Sequence, residues 1–215
     1  MKVAVLFSGG KDSCFAAFCA LYSGWEARLL TMVSGEDSMM FHRPNVEWCK
    51  LQAQAMGLPL QYVKTSNERE LSDMKKALAK MKVDGVVAGA IESEYQKQRI
   101  DVIADELGIR SFAPIWRKKG ALAEEVAQYF DARIAAVAAE GLGVDFLWRR
   151  FDAKCMADMK KSSPSAHFFF EGGEGETFVC DAPFFGKSVE VRKVEKEWHG
   201  QSGVAKIIDA ALEKK

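Results

Sequence analysis

Val3-Ala4-Val5-Leu6-Phe7-Ser8-Gly9-Gly10-Lys11-Asp12-Ser13 is the stretch that decides the fold of this chain. Residues 3–6 are apolar and partly β-branched, and an almost wholly apolar helical pattern runs from Cys14 to Leu21. The order is therefore buried strand, tight glycine loop, buried helix. Such a turn gathers backbone N–H groups and the positive end of a helix dipole at one point, which suits a phosphate group. Gly9 and Gly10 permit positive φ and let the backbone approach an anion closely. Lys11 adds a cation that can follow charge onto a phosphate leaving group. The stretch is not a Walker A loop, because Val5 stands where that loop needs glycine and Asp12 where it needs Ser or Thr. The plain alternative is a strand-to-helix turn with two convenient glycines.

Outward from the loop, a rhythm repeats. The first helix stops at Gly24 before a strand near Glu26–Val33. Pro44 and Asn45 open a second helix, which Gly57 ends before Leu60–Val63. A third spans about Glu68–Met81 and leads to a strand near Val83–Ala90. Ser93 and Gln96 form a capping box for a fourth, closed by Gly108 before Arg110–Pro114. Alternation of this kind predicts a Rossmann-like (HUP-like) α/β domain, a parallel sheet with helices on both faces. Ligands bind such sheets at the carboxyl ends of the strands, so Ser8–Ser13, Ser34–His42 and Gly89–Arg99 share one rim. Past Trp116 the character changes, which divides the chain into residues 1–117 and a smaller mixed α/β domain, 118–215. There we expect a helix near Ala121–Phe130, a strand near Arg133–Ala138 and two short helical stretches. Strands follow at Ala166–Phe170, Thr177–Cys180 and Ser188–Val194, with an amphipathic helix over Val204–Lys215.

Bulk properties narrow the classes. The 215 residues carry 30 Lys plus Arg against 30 Asp plus Glu, so no net charge draws the chain toward nucleic acid or membrane. Five scattered cysteines without a CxxC pair argue against zinc and iron–sulfur sites and fit reduced thiols in a cytoplasm. Neither a signal peptide nor a spanning segment is visible in the sequence.

The second conspicuous stretch is Glu171-Gly172-Gly173-Glu174-Gly175-Glu176-Thr177. Three carboxylates alternate with three glycines between two strand candidates. Such acids can hold Mg²⁺, receive a cation or act as a base; an exposed acidic turn is the bland alternative.

SGGKDS resembles the PP-loop of the N-type ATP pyrophosphatases, which split ATP into AMP and pyrophosphate. Met40-Phe41-His42, Gly89-Ala90-Ile91, Ser93-Glu94-Tyr95-Gln96-Lys97-Gln98-Arg99-Ile100 and EGGEGETFVCDAPFF extend the resemblance over essentially the whole chain, and to one family, the diphthine–ammonia ligases. Met39 and Arg43 depart from residues common in that family, which often has Tyr and Thr there. Without the extra C-terminal domains of eukaryotic members, the chain looks like the short archaeal form.

What the resemblance implies is an AMP-forming carboxylate–ammonia ligase. It would use ATP, Mg²⁺ and free ammonium to amidate diphthine on translation elongation factor 2 through an acyl-adenylate. Ser8, Gly9, Gly10, Lys11 and Ser13 would cradle the phosphates, with Gly89 and Ala90 close to the nucleotide. Asp12 would ligate Mg²⁺ or fix the loop, with helix capping as its alternative. Tyr95, Gln96 and Arg99 would meet substrate, Arg99 gripping the α-phosphate or the substrate carboxylate unless it forms only a surface ion pair. Glu171 and Glu174 would bind ammonium and take its proton. Gly172, Gly173, Glu176 and Thr177 would line the same place, and Glu176, Tyr95 or Phe168–Phe170 would suit the trimethylammonium group of diphthine. The three phenylalanines read equally well as core. The resemblance leaves a homodimer open and implies no membrane or direct nucleic-acid binding. The competing readings are another PP-loop enzyme, such as a tRNA thiolase built around Cys14, and an adenine-nucleotide sensor without turnover.

Overall fold

The computed structural model describes residues 1–34, 44–90, 93–167, 169–170 and 172–215. Strand β1 (Lys2–Leu6) feeds the glycine loop and helix α1 (Lys11–Tyr22). Then come β2 (Glu26–Val33), α2 (Cys49–Met56), β3 (Leu60–Lys64), α3 (Glu70–Met81), β4 (Gly85–Val87), α4 (Glu94–Leu107) and β5 (Arg110–Phe112). The five strands lie in the order β3-β2-β1-β4-β5, and every pairing is parallel. The order reverses between β1 and β4. That is the topological switch point, where a crevice opens beyond the strand ends. The loop after β1 and Gly89 after β4 both emerge there.

The apolar runs of the strands follow from burial on both faces. Val3, Val5, Leu29 and Val87 point into one core with α1 and α2, whereas Ala4, Leu30, Met32 and Val86 point into another with α3 and α4. Ser93 caps α4, its Oγ accepting from the Gln96 N–H at 3.3 Å. Gly57 and Gly108 close α2 and α4 at φ 68° and 66°.

The remaining elements are α5 (Lys119–Tyr129), β6 (Asp131–Val137), α6 (Ala153–Ser162), β7 (Gly175–Asp181), β8 (Lys187–His199) and β9 (Ser202–Lys214). They form an antiparallel sheet ordered β7-β6-β9-β8. This sheet packs on the α1–α2 side of the first one: Ile134, Val137, Phe178, Val179 and Ala205 belong to the same core cluster as Val5 and Ala17.

Three expectations need correction. Val204–Lys215 is not a helix. It lies within β9, which pairs with β8 from Lys187↔Lys214 to His199↔Ser202. Gly203, Ala205 and Ile207 are buried, while Lys206 and Ile208 between and beyond them are exposed, a two-residue period that the pairing enforces over helical propensity. Ala166–Phe170 is not a strand among its described residues. A turn closes there, with the Phe170 N–H donating to the His167 carbonyl at 2.8 Å and Phe170 held at φ 64°. Pro44–Asn45 does not open the second helix directly; a 3-10 turn at Val46–Trp48 precedes α2. Asn45, buried and left-handed at φ 65°, fastens β9 instead. Its Nδ2 donates to the Ala205 carbonyl at 3.0 Å, and its Oδ1 accepts from the Ile207 N–H at 2.8 Å. Among the described residues no helix is long and apolar enough to cross a membrane.

Candidate active site

The glycine loop is locked from within. The Ser13 hydroxyl accepts from the Ser8 N–H at 3.2 Å and the Ser8 hydroxyl at 3.3 Å, and donates to the Gly10 carbonyl at 3.0 Å. It is also locked from outside, by the free edge of β7. The Lys11 N–H donates to Thr177 Oγ1 at 3.0 Å, and the Val179 N–H donates to the Gly9 carbonyl at 3.0 Å. A Cβ on Gly10 would lie 3.1 Å from the Thr177 carbonyl oxygen, so glycine is what lets the strand come this close. The loop in turn covers a sheet edge that would otherwise be open to pairing. From the other side, a Cβ on Gly89 would sit 2.7 Å from the Asp12 carbonyl carbon, so the chain leaving β4 presses on the first turn of α1. Ala90 beside it is buried.

Lys11 is 3% exposed. Its Nζ lies 2.8 Å from Asp12 Oδ2 and 4.0 Å from the centre of the Phe169 ring, so the cation is neutralised on one side and rests on a π face on the other. Asp12 Oδ1 is buried and has no hydrogen-bond partner among the described residues. A free, buried carboxylate oxygen beside a phosphate loop suits a hard cation bound chiefly by phosphate and water, as Mg²⁺ usually is. The described residues hold no group of three or more His, Cys, Asp or Glu able to enclose a metal by themselves.

The acidic stretch is divided between a turn and a strand. Gly172–Glu174 form the turn, with Gly173 at φ 84°, and Gly175, Glu176 and Thr177 begin β7. Glu174 faces its own loop: Oε1 accepts from the His167 N–H and Oε2 from the Gly172 N–H, each at 2.8 Å. Each oxygen keeps a second lone pair. Glu176 stands opposite Ala136 on β6. Glu171, Phe168, Ile91 and the Met40-Phe41-His42 stretch lie outside the described residues.

Tyr95, Gln96 and Arg99 occupy the first turns of α4. The Arg99 guanidinium lies 3.3 Å from the centre of the Tyr95 ring and donates to the Tyr95 carbonyl at 3.3 Å. Arg99 also lines a groove of about 470 Å³ between α3 and α4, with Leu71, Lys75, Val102 and Glu106. The structure thus brings Ser8–Ser13, Gly89, Phe169 and Thr177 together, and sets Arg99 against Tyr95 and the α3–α4 groove.

The cysteines are free. Cys14 is fully buried, and burial pushes its thiol well above the usual range. Burial likewise raises Cys49 to about 12. Neither thiol is available as a thiolate for sulfur transfer. Sequence reasoning missed Gln52, which is wholly buried and whose Nε2 donates to the carbonyls of Gly9 and Val179, both at 2.8 Å. Only the fold joins residues 43 and 127 positions away, so no local signal could have found it.

Comparison with known proteins places the chain in a family. Residues 1–111 match the profile of the Diphthamide synthase N-terminal domain, and residues 118–212 match that of the Diphthamide synthase C-terminal domain. A zebrafish (Danio rerio) protein named diphthine–ammonia ligase is 31% identical, over 96% of this chain and 92% of its own length. The human protein of that name is 30% identical, over 96% of this chain and 89% of its own. Among solved structures, a chain described as a predicted subunit of tRNA methyltransferase from Methanocaldococcus jannaschii superposes with a TM-score of 0.49 at 16% identity, covering 85% of this chain and 98% of that one. A likeness that slight bears on nothing further. With both family domains matched in order along nearly its whole length, the chain belongs to the diphthine–ammonia ligase (diphthamide synthase) family.

Proposed function

We propose that this chain is an ATP-dependent ligase that amidates diphthine on translation elongation factor 2, using ammonia and releasing AMP and pyrophosphate. Family membership supports the ligase class. The observation that carries the rest is the direct bonding of the Ser8–Ser13 loop to the strand of the acidic stretch, Lys11 to Thr177 and Gly9 to Val179. A phosphate grip and an acidic turn so joined can serve one reaction. We place the nucleotide on residues 1–117 and the acceptor mainly on residues 118–215.

A carboxylate does not react with ammonia unaided, because oxide is a poor leaving group. In the first step the diphthine carboxylate oxygen attacks the α-phosphorus of ATP and pyrophosphate leaves. In the second, ammonia attacks the acyl carbon, AMP leaves, and one proton is lost. Gly9, Gly10 and Ser13 hold the β- and γ-phosphates, and Lys11 stabilises the charge that grows on them. Leaving Asp12 and the Phe169 ring is the movement Lys11 must make toward phosphate. Mg²⁺, carried with the nucleotide, would meet Asp12 Oδ1 and supply charge neutralisation. Glu174, with Glu171, receives ammonium on its free lone pairs and takes up the proton. The quaternary ammonium of diphthine calls for an aromatic or acidic lining, for which we assign Glu176 and the face of Tyr95 that Arg99 does not cover. Sulfur transfer is the weaker alternative, since Cys14 is buried and protonated.

The test is an omission experiment with purified chain, ATP, ammonium and diphthine-bearing elongation factor. AMP and diphthamide should accumulate together only when all are present. Lys11→Ala should slow AMP formation by about two to three orders of magnitude. ADP as the nucleotide product would overturn the adenylation mechanism, and absence of turnover would favour a nucleotide sensor.

A further inference from the structure

Gln52 has no exposed surface and sits on α2 among Cys49, Ala53 and Ala55. Its Nε2 donates to two carbonyls, Gly9 and Val179, each at 2.8 Å. Those two acceptors fix the orientation of the amide, because the reverse would set three oxygens against one another. The amide oxygen then lies against Gly9, where an added Cβ would be 2.4 Å from Oε1. That oxygen finds no hydrogen-bond donor among the described residues. A buried amide that leaves its acceptor unused is a poor choice for packing, since an apolar side chain of the same size carries no such cost.

What the amide supplies is direction. With the Val179 N–H it draws the Gly9 carbonyl toward α2 and β7. The peptide that follows is trans, so the Gly10 N–H points the opposite way, away from the Gln52 amide and the Val179 N–H. Gly9 can take this shape because its φ of +82° suits glycine. We infer that Gln52 is a positioning residue for the phosphate loop: by pinning the Gly9 carbonyl it aims the Gly10 N–H at the bound phosphate and ties that aim to β7. This rests on the proposed ATP site and adds to it the residue that sets its geometry.

Calorimetric titration of the intact protein with a non-hydrolysable ATP analogue and Mg²⁺ tests it without needing turnover. Gln52→Met keeps the volume and removes the donor. Kd should rise by about tenfold with stoichiometry unchanged, the loss of one well-placed hydrogen bond. A merely structural role would lower the stoichiometry and leave Kd alone, and that result overturns the inference. Gln52→Glu is the second variant. Facing two carbonyls, its carboxyl is neutral at pH 6 and donates one bond, so affinity should stay within about threefold of wild type there. At pH 8.5 ionisation turns both carbonyls into repelling neighbours, and affinity should fall to the Met level. Wild-type affinity at both pH values overturns the inference even if Gln52→Met does not fold. Absence of binding by wild type would sink the ATP site along with Gln52. Binding by wild type without amidation would sink only the ligase reading.

Discussion

At the scale of single residues, what could be read from the chain was what chemistry forces on neighbours in sequence. A loop that holds phosphate needs glycines, a cation and a helix start within a few residues, and Ser8–Ser13 supply them together. Gln52 had no such signature, because it acts on Gly9 and Val179 only after folding. Glu174 lies between these cases. Its charge and its glycine neighbours marked it for chemistry, but the bonds it makes to the His167 and Gly172 N–H groups also hold the turn in shape. Glu174→Gln puts an amide N–H₂ against one of those donors. We expect amide formation to fall at least tenfold, roughly the loss of one charge-assisted hydrogen bond, while the first-turnover release of pyrophosphate changes less. Rapid-quench analysis of pyrophosphate and diphthamide in the same samples checks this. Equal loss of both products would assign Glu174 to the loop's shape alone.

At the scale of elements, the parallel half was legible because Gly24, Gly57 and Gly108 follow three of its helices, Ser93 caps the last of them, and β1, β2 and β4 carry apolar runs. The last thirteen-residue strand was not. Val204, Ile207, Ile208 and Ala211 fit a helical stripe, and the Ala-Ala-Leu-Glu-Lys-Lys end favours a helix locally. Pairing settles the matter: β8 turns back into β9 as a hairpin through Gly200 and Gln201, and Asn45, 160 positions from Ala205, fastens the new strand. Asn45 therefore carries a prediction. Asn45→Ala strips the Ala205 carbonyl and the Ile207 N–H of their partners in a buried place, and should cost about 2–4 kcal/mol. Urea unfolding measures it, and a change below about 0.5 kcal/mol, ordinary for a surface site, would contradict the role given to this side chain.

At the scale of the whole molecule, the change of character after Trp116 was visible, but its consequence was not. The second sheet shares a core with the first, and its edge strand closes the phosphate loop. One shared core predicts one cooperative unfolding transition. Buried thiols within that core give the transition a pH dependence. Burial raises Cys49 and Cys180 from the ordinary 9.0 to about 12 each. Their folded pKa is the higher one, so this stability is whole below pH 9 and is lost as pH climbs from 9.0 toward about 12. The urea midpoint should hold steady from pH 7 to 8.5 and then fall, each thiol contributing about 1.4 kcal/mol per pH unit at full slope. A midpoint unchanged at pH 10.5 would mean that these thiols are not sealed in the folded state. We expect the loop and the acidic turn, joined through β7, to meet one bound nucleotide. A crystal structure with a non-hydrolysable ATP analogue tests it most directly: the β- and γ-phosphates should lie on residues 8–13 with the α-phosphate turned toward residues 171–177. A nucleotide seated elsewhere, as in the α3–α4 groove beside Arg99, would contradict it.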